Sequence, residues 1–234
     1  RERASQGRGN LQSLRKGSAD GCGADPVPLR TTIKQGGVMI AIIDYKAGNI
    51  RSVENALKRF GAEYVLTADP EMIRRTDHVI LPGVGEASSA MKALESTGLV
   101  PVIKSLTQPV LGICIGMQLM CASSEEGGTE CLGIFTPKVT RFPETPGVKI
   151  PHTGWNTISG LRGPLFRNIP EDSFVYYVHS YCPEIFIDQT AAVTEYAGVC
   201  FSGALQRDNF FGTQFHPEKS GSVGAEILKN FIEL

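Results

Sequence analysis

Short apolar runs alternating with a helical period dominate the chain from Met39 onward, and they leave few folds open to it. MIAII (39–43), EYVLT (63–67), HVILP (78–82) and PVLGI (109–113) read as strands, mostly apolar along their length. Between the first two, Ile50, Val53, Ala56, Leu57 and Phe60 recur at helical spacing, and Gly61 stands at the expected stop. A second helix is predicted from Glu86 to Leu94. Strands and helices alternating over short links imply a mostly parallel sheet covered on both sides. The second half changes character. KVTRF (138–142), FVYYVHS (174–180), AAVTEY (191–196), VCFSGAL (199–205) and FFGTQF (210–215) are strand-like with turns between them, and a last helix carries Val223, Ile227 and Phe231 on one face. The prediction is one α/β domain over residues 39–234: a mostly parallel central sheet flanked by helices, with an antiparallel extension. A chain of 234 residues has room for such a core without staples.

Residues 1–38 stand apart. They are polar, rich in Arg, Gly and Ser, and show no sustained apolar periodicity. They lack the apolar centre of a secretory signal, and Glu2, Asp20 and Asp25 weaken a likeness to an organellar transit peptide. A disordered leader, separate from the function, is expected there. The formal net charge of −1 gives no electrostatic reason to expect nucleic acid or a membrane surface as partner. No apolar run approaches the ~20 residues of a membrane-spanning helix. The six cysteines form no C-x-x-C pair, so neither a zinc site nor a dithiol motif is indicated. Their scattered spacing argues for reduced thiols in an intracellular, cytoplasmic protein, with no metal and no cofactor expected.

One cysteine is placed differently from the others. In LGICIGMQLM (111–120) the β-prone Val110-Leu111 leads straight into the helix-prone Met117 to Met120, with Cys114 at the joint. Such a turn strains its central residue, and the positions two before and two after must be small so that the backbones can pass. Gly112 and Gly116 meet that demand. The sulfur would then stand at the C-terminal edge of a strand and at a helix N-terminus, where thiolate is favoured. Alone, G-x-C-x-G would as readily be a packed structural cysteine. A nucleophilic thiol also needs a base, and the base an orienting group. Of the four histidines, His78 opens a strand and reads as structural. His216 follows the strand FFGTQF in the segment QFHPEKS, with Glu218 close enough to hold its ring. PGVG (82–85) adds backbone N–H groups around Gly83, Val84 and Gly85 at the end of another strand, suited to an oxyanion. The loop lacks the lysine and hydroxyl residue of a nucleotide-binding P-loop. A Cys–His–Glu triad is the reading these pieces share.

GICIGMQ, PGVG and FHPE together resemble the class I (triad) glutamine amidotransferases. IIDYKAGNIRSVENAL (42–57), IPHTGWN (150–156) and YYVHSY (176–181) further resemble the glutaminase subunits of imidazole glycerol phosphate synthases, from Met39 to the C-terminus. The resemblance implies a flavodoxin-like sheet and hydrolysis of glutamine through a cysteine thioester. It implies Cys114 as nucleophile, His216 as base and Glu218 as its orienter, with Gly83, Val84 and Gly85 as the oxyanion strand. Gln118, Glu126, Ser180 and Tyr181 match positions that hold the amino-acid end of glutamine. Thr153 stands where the family usually has methionine, and Lys46 where glycine is common. The stretch from residue 39 onward is too short for a glutaminase plus the ~250 residues of a (β/α)8 barrel. The resemblance therefore implies a separate cyclase subunit of that barrel fold as partner and recipient of ammonia. Two alternatives stay open at this point: a glutaminase serving an anthranilate, aminodeoxychorismate or pyridoxal phosphate synthase, and a cysteine peptidase of related fold.

Overall fold

The computed structural model describes residues 37–45, 50–83 and 85–234. The leader expected over residues 1–38 lies outside them but for its last two residues, and Lys46 and Val84 also lie outside. The chain enters with strand β1 (Met39–Ile43), helix α1 (Ile50–Arg59), β2 (Glu63–Thr67), α2 (Pro70–Arg75), β3 (His78–Leu81), α3 (Ala87–Ser96), α4 (Leu99–Lys104), β4 (Val110–Ile113) and α5 (Ile115–Met120). Short strands β5 (Ser123–Ser124), β6 (Thr129–Glu130) and β7 (Lys138–Arg141) follow, then the long β8 (His152–Ile158) and β9 (Ser173–His179). The chain closes with β10 (Tyr181–Pro183), β11 (Thr190–Tyr196), β12 (Val199–Arg207), β13 (Phe210–Thr213) and α6 (Gly221–Ile232).

Seven strands form the main sheet in the order β11-β12-β13-β4-β3-β1-β2. From β2 to β13 every pairing is parallel, and β12 and β11 add the antiparallel extension. Apart from His78, the strands β1, β3 and β4 carry no polar side chain because helices cover both faces, and Ile40, Val79, Ile80, Val110 and Leu111 are wholly buried. A four-stranded sheet (β10-β7-β5-β6) and the antiparallel pair β8–β9 complete the fold. One consequence places the chemistry. The C-terminal ends of three adjacent parallel strands, β3, β4 and β13, lie side by side, with Leu81 opposite Gly112 and Thr213 opposite Ile113. Whatever follows each of these strands meets at one edge.

Six elements escape the sequence pattern, the short strands β5, β6 and β10 because so brief a run shows no period to read. Helix α2 buries only Ile73, so it has no period to read, although Asp69 caps it by accepting from the Glu71 N–H at 2.9 Å. Helix α4 contains Pro101, which reads as a breaker. It stands in the first turn, where a missing N–H breaks no intrahelical bond. Strand β8 holds Gly154 and an exposed Trp155, which disguise its alternation. The other elements shift by a residue or two at their ends: the helix expected over 86–94 spans Ala87–Ser96, and the strand expected over 210–215 ends at Thr213.

Candidate active site

Cys114 sits between β4 and α5 with φ 53° and ψ −110°, a left-handed φ that a side chain adopts at a cost of roughly 1–3 kcal/mol. The flanking glycines are steric necessities. A Cβ on Gly116 would collide with the Leu81 carbonyl oxygen, and one on Gly112 would stand 2.7 Å from the Met117 nitrogen. Gly83 packs its backbone against the same elbow, where a Cβ would overlap the Gly116 nitrogen. The Cys114 N–H donates to the Thr213 carbonyl at 2.7 Å, which ties the elbow to β13.

His216 leaves β13 beside that elbow. Its Nδ1 lies 2.8 Å from Glu218 Oε1, and the two side chains are only 2% and 3% exposed. A carboxylate accepts, so Nδ1 carries the proton and Nε2 is the nitrogen left for exchange. Among the described residues Nε2 has no hydrogen-bond partner. Burial disfavours the charged ring, but Cys114 and Glu218 outweigh it and push the His216 pKa up to about 9. The His216 N–H donates to the Tyr176 carbonyl at 2.9 Å, and the Ser220 hydroxyl donates to the His216 carbonyl.

Cys114 and His216 share a cavity of about 370 Å³ with Gly85, Gln118, Glu126, Ser180 and Tyr181. That volume is at the small end for ligand sites and suits a free amino acid. A wider depression of about 440 Å³ beside Arg162, Asp188 and Arg207 has neither cysteine nor histidine in its lining, so size does not mark the site. Glu218 stands behind His216 rather than in the cavity wall, and Gly83 acts through packing. Gln118 is fully committed at one end: its Nε2 donates to the Tyr181 carbonyl at 3.0 Å and to Gln214 Oε1 at 2.9 Å. Its Oε1 is buried with no partner among the described residues, an acceptor for a ligand N–H. Glu126 Oε2 accepts from the Ala87 N–H at the start of α3, 2.7 Å away. Burial raises the Glu126 pKa, the Ala87 N–H opposes the rise, and the Glu86 charge adds to it.

Several contributors lie in segments the sequence singles out, but nothing local assigns them a role. The Tyr45 hydroxyl donates to the Pro82 carbonyl at 2.5 Å and so anchors the start of the PGVG loop. Burial, and after it the charge of Cys114, raises the Tyr45 pKa and keeps it a donor. The Gln214 amide lies 3.7 Å from Cys114 Sγ, and the Val178 carbonyl 3.9 Å from it. His179, in the cavity wall, takes a hydrogen bond from buried His152 at 3.1 Å and gives one to the Tyr181 carbonyl at 2.8 Å. Each of these depends on long-range strand pairing, which local pattern does not encode.

Residues 41–234 match the family described as glutamine amidotransferase class-I. The chain is 56% identical over 196 residues to the imidazole glycerol phosphate synthase subunit HisH of Bacteroides fragilis, covering 83% of this chain and 99% of that protein. It is 54% identical to the subunit of the same name from Bacteroides thetaiotaomicron, and 45% identical over 197 residues to that from Yersinia pseudotuberculosis, with the same coverage. Among solved structures, PurLQS from Thermotoga maritima aligns with a TM-score of 0.60 at 17% identity, over 84% of this chain and 98% of that one. A glutamine amidotransferase from the same organism aligns at 0.55 and 18%, over 84% and 81%. At such identities the two structures bear on the fold alone.

Proposed function

Because this chain belongs to the class-I glutamine amidotransferase family, we propose that its 370 Å³ cavity is a glutaminase site built on Cys114, His216 and Glu218. The chain is the glutaminase subunit of an imidazole glycerol phosphate synthase, an enzyme of histidine biosynthesis, and so works as one part of a complex. The observation that carries the site assignment is the strained Cys114 at the end of β4, beside a buried His216–Glu218 pair leaving the next parallel strand.

In the proposed sequence His216 Nε2 takes the thiol proton and the sulfur attacks the carboxamide carbon of glutamine. A C–S bond forms, and the carbonyl electrons move onto oxygen. The loop Gly83–Val84–Gly85 and the Ile115 N–H, first of helix α5 and so without an intrahelical acceptor, are the donors proposed for that oxyanion. Collapse breaks the C–N bond, and the nitrogen leaves as ammonia with the proton from His216. Water, deprotonated by His216, then attacks the thioester. The C–S bond breaks, the electron pair returns to sulfur, and glutamate departs. Glu126 receives the substrate ammonium, with Gln118 Oε1, Ser180 and Tyr181 around the rest of the amino-acid end.

The pair β8–β9 supports a docking place for the partner. Its register puts Trp155, Tyr176, Phe174 and Val178 on one face and His152, Tyr177 and His179 on the other. The inner face is buried, but Trp155 and Phe174 on the outer face are 55% and 59% exposed. Large exposed apolar side chains beside the cavity suit a protein surface. We assign it to a cyclase subunit of (β/α)8 fold, to which ammonia passes. Residues 39–234 form the working unit in this reading, and residues 1–38 are dispensable to it. The test is Cys114→Ala in the assembled complex. Glutamine-dependent synthesis is expected to vanish while ammonia-dependent synthesis persists; loss of both would break the division of labour.

A further inference from the structure

Gln214 takes no part in the triad, yet its side chain touches the reacting sulfur. It is wholly buried at the end of β13, one strand away from the nucleophile's own. The orientation of its amide follows from a chain of partners that begins at a backbone carbonyl. The Tyr181 carbonyl can only accept, so the end of Gln118 facing it at 3.0 Å is the NH2 group. That same NH2 group faces Gln214 at 2.9 Å, which must therefore present its oxygen. The other end of the Gln214 amide, its Nε2, is left facing Cys114 Sγ at 3.7 Å. Reversing either amide would set two acceptors or two donors against each other in a buried site.

The second contact of the sulfur has the opposite sense. The Val178 carbonyl, 3.9 Å away, accepts and thus favours the neutral S–H. An N–H donor gains most when the sulfur carries charge, because hydrogen bonds to ionised acceptors are about twice as strong as neutral ones. Sγ therefore lies between a group suited to the thiol and a group suited to the thiolate, with His216 beside it to take the proton.

We propose that Gln214 is a further catalytic residue, whose Nε2–H donates to Cys114 Sγ and stabilises the thiolate both before attack and when the thioester is cleaved. In the first step the sulfur loses its proton to His216 and the Nε2–H holds the resulting charge. In the last step the C–S electron pair returns to sulfur and meets the same donor. The assignment rests on the reading of Cys114 as the glutaminase nucleophile.

The test uses the complex with the cyclase and the variants Gln214→Met and Gln214→Leu, close in volume but without a donor. Alkylation of Cys114 by iodoacetamide, followed peptide by peptide across the pH range where it rises, reports the thiolate directly. Loss of one hydrogen bond to a charged group is expected to move that rise up by about one pH unit and to lower kcat for glutamine about tenfold. The KM for glutamine should change much less, and ammonia-dependent synthesis should persist. An unmoved alkylation profile would overturn the proposal even if turnover fell, since a packing role would not shift the profile. Loss of cooperative melting in both variants would also overturn it, by making the amide structural. Failure of the glutaminase reading would show elsewhere, as glutamine-dependent synthesis surviving in Cys114→Ala.

Discussion

At the scale of single residues, the thiols divide by environment. Cys114 stands in a strained turn with a histidine, an amide donor and a cavity beside it. Cys121 is fully buried, and burial pushes its thiol pKa well up. Burial, and after it nearby carboxylates, pushes Cys131 up to about 11 and Cys182 up to about 12. Cys200 is exposed but lies in β12, away from the cavity. A glutamine-shaped electrophile is therefore expected to label Cys114 and spare Cys121, Cys131, Cys182 and Cys200. Peptide mapping checks this, and comparable labelling at a second cysteine would remove the case for one activated thiol. Cys114, His216 and Glu218 could be picked out from the sequence as candidates because each lies in a motif whose demands are local: small neighbours for the elbow, a turn for the base. Gln214 could not. Its partner sulfur is 100 positions away along the chain.

At the scale of elements, the pair β8–β9 has two unlike faces. The outer face is open and sets Trp155, Phe174 and Val178 among Thr153, Thr157 and Tyr176, while the inner one holds His152 stacked on Tyr196 and Tyr177, with ring centroids 3.8 and 4.7 Å apart. Burial lowers the His152 pKa to about 4. His179 is lowered to about 3, chiefly by burial, with His152 and His216 adding to it and the Tyr181 carbonyl opposing. Both rings are neutral in the folded chain, whereas the unfolded chain takes up protons near 6.5. The unfolded state thus binds more protons below that pH, and stability is lost as pH falls through the window from 6.5 towards 4. His216 works in the other sense: its contribution is complete below 6.5 and is lost as pH rises through about 9. Melting temperature is expected to fall between about pH 7 and about pH 4.5, and to fall less steeply in His152→Gln. Equal slopes in the two proteins would show that the pair does not carry the acid sensitivity.

At the scale of the whole molecule, the proposed docking face and the cavity share an element. Val178 belongs to the outer face of β9, lines the cavity and places its carbonyl near Cys114 Sγ. A partner docked there, as proposed, would touch the strand that borders the cavity. On the proposed reading, the PGVG loop is a second point of control. Gly85 holds φ 109°, free of Cβ penalties, while Val84 lies outside the described residues. Loss of one oxyanion donor costs roughly 10²–10³ in rate, so a loop that presents its N–H only in the complex would keep the lone chain nearly silent. Glutamine turnover is expected to rise strongly only with the cyclase and its ribonucleotide ligand both present, in a steady-state glutaminase assay. Full activity of the chain alone would reject the gating and leave the triad standing. The sequence by itself determined the alternating sheet, its antiparallel extension and the steric form of the elbow, since apolar period and steric demand are properties of neighbouring residues. Tertiary structure alone decided the strand order that gathers the ends of β3, β4 and β13. It also set the registers that bring Gln214 to the sulfur, join His152 to His179 and turn Trp155 outward. Those depend on pairings between residues far apart in the chain, and a local pattern carries no record of which distant strand will lie alongside.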